Sequence, residues 1–249
     1  MSQPNLLMIH GLMGSIDYFA PRDYLTGLRV FTPDLLDYGN QSNAMAARDI
    51  DLPLQADTIA QIIRERIGVP TWLLGHSVGG AVAMLVAQRV PDLITGLISV
   101  EGNFTLNDSF WCSKIAGTDI DEWEQQYLTM VSDPEGFLTR SGIAPSGQRL
   151  AWAKAILSNQ SAATLHSMAT SVIHETGVPA YLELVRSVVQ RTPIHLLAGE
   201  RSADGWDVPD WVRATARSSH VLCGVGHMMM LEDPTRFCSS VLGLVRGDL

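Results

Sequence analysis

An α/β fold, with a mostly parallel central sheet and helices on both faces, is predicted by three features of this 249-residue chain. Short runs such as Leu6, Leu7, Met8 and Ile9, or Leu97, Ile98, Ser99 and Val100, are apolar almost throughout, as strands covered on both faces must be. Segments of helical periodicity separate them, and such alternation implies parallel strands joined by right-handed crossovers. Residues 104 to about 190, by contrast, mix tryptophans and carboxylates with helical-period apolar positions and hold no strand-like run. That segment is expected to be a helical lid inserted into one core made of 1–103 and 191–249.

The elements follow in order. Residues 6–9 form the first strand and lead into the glycine loop His10-Gly11-Leu12-Met13-Gly14. Residues 29–32 form the second, followed by a polar turn cluster from Asp34 to Ser42. Leu54, Ile59, Ile62, Ile63 and Ile67 fall near helical spacing, and Gly68-Val69-Pro70 stops that helix. Trp72, Leu73 and Leu74 carry the third strand, 79–90 a helix, and 93–100 a fourth strand ending at Glu101-Gly102-Asn103. Past the insertion come a strand at 193–198, a loop from Gly199 to Gly205, a helix at 208–217, a last strand at 219–223 and a closing helix at 234–245. No repeat or linker interrupts this single domain.

Composition narrows the partners. With 46% apolar residues the chain can bury a sizeable core, and a formal charge of −9 leaves no basic stripe for nucleic acid or anionic membrane. A small, largely apolar molecule is the expected partner, with a homodimer left open. Met1-Ser2-Gln3-Pro4-Asn5 runs into the first strand without a charged leader, and no apolar run nears the roughly 20 residues of a membrane span, so a cytoplasmic protein is expected. Cys112, Cys223 and Cys238 are odd in number and scattered, which suits buried reduced thiols better than disulfides or a zinc ribbon.

Chemistry concentrates at Gly75-His76-Ser77-Val78-Gly79, between an apolar run and a helix-length Ala/Val/Met/Leu run. A strand that turns sharply into a helix exposes the residue on the bend, and flanking glycines are needed because a β-carbon would collide there. Ser77 is therefore the candidate nucleophile. A serine hydroxyl needs a base, and the base needs an orienting acid. His227, in the loop after the last strand, is the candidate base. His10 and His76 are read as structural, and His166, His174, His195 and His220 as ordinary surface or capped residues.

In these features the chain resembles the α/β-hydrolases, in their compact, lid-bearing form. The resemblance rests on His10-Gly11 after the first strand, Pro33-Asp34 with Gly39 and Ser42, the elbow from Gly75 to Gly79, and Gly226-His227 with Glu232 and Pro234. It implies an oxyanion hole made by the backbone N–H groups of Leu12 and Val78, and an absent or rudimentary first hairpin. It also places an Asp three residues past the glycine that ends the penultimate strand, where this chain has Ser202. A minority of the family draws its acid from the strand after the nucleophile's helix, which here ends at Glu101. A carboxylate closing a buried run is costly unless paired, so Glu101 is the preferred acid and Asp204 the alternative.

Other chemistries lack their residues. His174-Glu175 has Val178 where a zinc helix needs a second histidine, and Gly11-Leu12-Met13-Gly14 lacks the Lys-Ser/Thr of a phosphate loop. No metal and no cofactor is expected. The function expected is a serine hydrolase acting on an ester, thioester or lactone of a small apolar substrate, with Phe104, Phe110, Trp111, Trp123 and Trp152 as candidate lid residues around the pocket. Alternatives are C–C cleavage or elimination by the same triad, and a receptor of low turnover.

Overall fold

A computed structural model describes residues 3–42 and 50–248, so the reading of the chain's start falls partly outside the described residues, at Met1 and Ser2. Strands β1 (Asn5–Ile9), β2 (Arg29–Phe31), β3 (Thr71–His76), β4 (Ile94–Val100), β5 (Ile194–Gly199) and β6 (Ser218–Leu222) form one sheet in the order β2-β1-β3-β4-β5-β6. Every ladder is parallel. All residues of β1 and β5 are buried, whereas β6, at the edge, alternates between half-buried and exposed positions before the buried Leu222. This is the pattern expected when helices cover both faces of the inner strands but leave the rim to solvent.

Because strand side chains alternate, β1 feeds two cores. Leu7 and Ile9 join Leu73, Leu97 and Leu196 on one face, while Leu6 and Met8 join Leu74, Ile98 and Leu197 on the other. The first face is covered by α2 (Leu52–Ile62), α3 (Val78–Arg89), α9 (Pro179–Arg191) and α10 (Asp210–Thr215), and the second by α1 (Pro21–Tyr24) and α12 (Pro234–Arg246). The Asp51 carboxylate caps α2 by accepting from the Leu54 amide at 2.7 Å. A π-helical turn, Ile63–Ile67, extends α2 to Gly68, whose φ of 69° ends it.

Residues 104–190 contain only helices and their connections: after a 3₁₀ turn come α4 (Phe110–Ala116), α5 (Ile120–Ser132), α6 (Pro134–Arg140), α7 (Gly147–Leu157), α8 (Ala162–Thr176) and α9. The segment is not uniform. Helix α9 buries Tyr181, Val185, Val188 and Val189 against α3 and so belongs to the layer flanking the sheet. Two four-residue helices, α1 and α11 (Met229–Glu232), occupy stretches to which the sequence reading assigned no helix. Cys112 and Cys238 are buried free thiols, but Cys223 is exposed, which corrects the expectation for that residue: it sits in the turn after the edge strand β6. Among the described residues no helix is long and apolar enough to cross a membrane.

Candidate active site

Between the last residue of β3 and the first of α3 stands one residue, Ser77, with φ 53° and ψ −124°. A side chain rarely adopts this backbone, and it persists only where neighbours hold it. Here the Ser77 amide donates to the Val100 carbonyl at 3.0 Å, and its own carbonyl accepts from the Gly80 and Asn103 amides. A Cβ on Gly75 would strike the backbone of Gly79, and a Cβ on Gly79 would strike the carbonyls of Ile9 and His10. Strand and helix cross at a separation that glycine alone permits.

His227 lies between β6 and α11, and its Nδ1 is 2.6 Å from Glu101 Oε2. Glu101 follows β4 directly, at φ 42°, with its side chain 4% exposed. Its other oxygen, Oε1, accepts from the Gly199 amide at 2.7 Å and from the Ser202 hydroxyl at 2.6 Å. Burial alone would raise this carboxyl, but the His227 hydrogen bond and charge, with the bonds from Ser202 and Gly199, outweigh it and hold the group below the usual carboxylate range. Asp204, the alternative acid, is exposed on the 3₁₀ turn Ala203–Gly205. Ser202, where the resemblance places an Asp, instead donates to the carboxylate arriving from β4.

The two other histidines near the elbow are neutral and tied into the structure by ring hydrogen bonds. His10 Nδ1 donates to the Gly11 carbonyl at 2.8 Å, and its Nε2 accepts from the Leu35 amide at 3.1 Å, which fixes the tautomer; burial lowers its pKa. His76 Nε2 donates to the His227 carbonyl at 3.0 Å, and burial together with the His227 charge drives its pKa to about 3. The glycine loop is further anchored by the Tyr38 hydroxyl, which donates to the Leu12 carbonyl at 2.8 Å, and by the Gln160 side chain, which accepts from the Gly14 amide at 2.7 Å.

Ser77, His227, Leu12 and Val78 all line one cavity of about 820 Å³. Its far walls come from α4, α5 and α6, and its apolar surface includes Met13, Phe110, Trp111, Met130, Phe137 and Met228. Of the five aromatic residues expected around the pocket, Phe110 and Trp111 line it. Phe104 and Trp123 are core residues, Trp123 donating its indole N–H to the Ala162 carbonyl at 3.0 Å, and Trp152 packs edge-on against Tyr18. Aromatic side chains at helical spacing mark a buried face, and most buried faces are packing. Sequence reasoning missed Asp108, which lines the cavity and which burial drives to about 6 despite bonds from Asn103 and the Phe104 amide. Among the described residues no group of three or more His, Cys, Asp or Glu side chains could hold a metal ion.

A profile described as the alpha/beta hydrolase family matches residues 6–240. The chain belongs to the alpha/beta hydrolase family. Lipase 3 of Moraxella sp. (strain TA144) is 35% identical over 98 residues, which are 39% of this chain and 31% of that protein. The match thus spans about a third of that lipase's length. The 2-succinyl-6-hydroxy-2,4-cyclohexadiene-1-carboxylate synthase of Salmonella paratyphi C (strain RKS4594) is 26% identical over 266 residues, covering 98% of this chain and 94% of that protein. Among solved structures, a thermophilic esterase from Thermogutta terrifontis superposes with a TM-score of 0.72 at 20% identity, covering 98% of this chain and 90% of that one.

Proposed function

We propose that this family member is a serine hydrolase that cleaves an ester, thioester or lactone of a small, largely apolar substrate. The observation that carries the reading is the 2.6 Å Glu101–His227 contact in a cavity that also holds Ser77 on its strained bend. A carboxylate bonded to Nδ1 leaves Nε2 of the imidazole free to act as the base. In this reading the Ser77 hydroxyl attacks the carbonyl carbon while His227 takes its proton. The Leu12 and Val78 N–H groups hold the tetrahedral oxyanion, a stabilisation worth about 3 kcal/mol per donor in such sites. His227 then protonates the leaving alcohol, thiol or lactone oxygen, and a water that it deprotonates releases the acid from Ser77. Apolar walls favour an uncharged acyl chain near the elbow.

A panel of p-nitrophenyl esters tests this with wild type and Ser77→Ala. Turnover that Ser77→Ala lowers by about a thousandfold or more supports the reading. A fluorophosphonate label found anywhere except Ser77 overturns it. The relative matched along almost its whole length is a synthase, which favours as second reading the cleavage of a C–C bond or an elimination by the same residues. Inertness toward every ester, with Ser77 still labelled, would move the assignment there.

A further inference from the structure

His76 and Ser77 are consecutive, and His76 holds the loop that bears His227. The His227 carbonyl can only accept, so the His76 nitrogen 3.0 Å away, Nε2, carries the proton. The two imidazole rings lie 4.7 Å apart at 38°. His76 is 7% exposed, and its Nδ1 faces Gly11, where a Cβ would sit 3.1 Å from it. The titratable groups around it are His227, Glu101 and His10. The outer edge of the His227 loop is pinned separately: the Gly226 amide donates to Glu232 Oε1 at 2.7 Å, and Arg201 grips both oxygens of Glu232 at 2.9 and 2.8 Å.

Resting on the hydrolase reading above, we propose that His76 is a positioning residue: its Nε2–H on the His227 carbonyl and its ring against the His227 imidazole fix that imidazole relative to Ser77. One peptide bond separates this tether from the nucleophile. Glu101 sets the tilt of the His227 ring from β4, and His76 sets the place of its backbone from β3, so both strands of the central pair meet on one side chain. Proton transfer falls steeply when the base drifts out of hydrogen-bond reach, which makes such a tether visible in kcat.

The test compares His76→Leu, which keeps bulk and loses the donor, with His76→Gln, whose amide can still donate to the carbonyl. Per fluorophosphonate-titrated site, His76→Leu should lower kcat for a p-nitrophenyl ester by roughly tenfold or more with KM changed by less than about threefold, while His76→Gln stays within about threefold of wild type. Unchanged kcat in His76→Leu, or equal losses in both variants, overturns the proposal. A second measurement needs neither variant nor substrate: in wild type labelled with 15N-histidine, His76 should be the neutral Nε2–H tautomer from about pH 8 to about pH 5, with a slowly exchanging ring proton. A neutral His76 that carries its proton on Nδ1 overturns it as well. If no ester is turned over but these resonances are as described, the hydrolase reading fails and the tether stands.

Discussion

The Gly199 amide reaches Glu101 Oε1 at 2.7 Å across 98 residues of sequence, and the Ser202 hydroxyl reaches the same oxygen at 2.6 Å. The exit of β5 thus receives a carboxylate that β4 supplies. Ser202 stands where the family's more usual acid would begin, and its hydroxyl meets the carboxylate that holds the His227 imidazole. Glu101→Ala is expected to lower kcat/KM at least about a hundredfold, and adding Ser202→Asp to recover at least about tenfold of that loss. Steady-state assays of the single and double variants decide; a double variant as inactive as the single one shows that the positions do not exchange.

Asp204 has no such contact. On its exposed turn a change to Asn should leave kcat/KM within about twofold, since exposed charges interact weakly with a site screened by water. A hundredfold loss in Asp204→Asn would move the acid's role to that residue.

Backbone approach at the elbow gives a stability prediction. Gly79→Ala pushes a methyl group into the Ile9 and His10 carbonyls, neither of which can retreat without breaking β1, so it should cost about 3 kcal/mol or more, or prevent folding. Gly205→Ala, which meets nothing within 4 Å, should lie within about 0.5 kcal/mol of wild type. Urea melts of the two variants make the comparison, and equal stabilities would contradict the close packing.

Acid sensitivity should trace partly to His76. Its pKa in the folded chain is about 3 against 6.5 for a free imidazole, so between those values the unfolded chain binds the extra proton. Its contribution is complete above 6.5 and is lost as pH falls toward 3, an upper limit of about 5 kcal/mol. His10, also lowered by burial, acts in the same direction. Replacing His76 by Gln removes the titration, so unfolding free energy should fall less steeply between about pH 6.5 and about pH 4, by more than about 1 kcal/mol. Parallel curves would mean that the ring is not desolvated.

The thiols should separate by accessibility. Cys223 is exposed, whereas burial pushes the Cys112 and Cys238 thiols up to about 12. An alkylating or disulfide reagent at neutral pH is expected to modify Cys223 fast and the other two only on unfolding, read by intact mass. Rapid modification of Cys112, which lines the cavity, would show that the cavity opens far wider than the structure.

Much of this fold is legible because buried parallel strands have little choice of residue. The inner strands β1, β3, β4 and β5 announce themselves as largely apolar runs, and α2 by the Gly68-Val69-Pro70 stop. Four-residue helices such as α1 and α11 are shorter than any period that could reveal them. Helix α9 escaped assignment to the sheet layer although Tyr181, Val185, Val188 and Val189 lie on one stripe, because a stripe tells that a face is buried and not against what. The elbow is readable for the opposite reason: its constraints are local, and glycines two residues either side of Ser77 record them. The bonds from Gly199 and Ser202 to Glu101, and from His76 to His227, join distant segments through single side chains. Nothing periodic in the sequence marks such contacts.

The order in which the chain is made has its own consequence. Ser77 and Glu101 sit at the ends of neighbouring strands, β3 and β4, but His227 follows Glu101 by 126 residues. At about 5–20 residues per second a ribosome needs roughly 6–25 s to cover that distance. On the proposed assignment the nascent protein carries nucleophile and acid throughout that interval without a base, and acquires reactivity only with its final strand and loop.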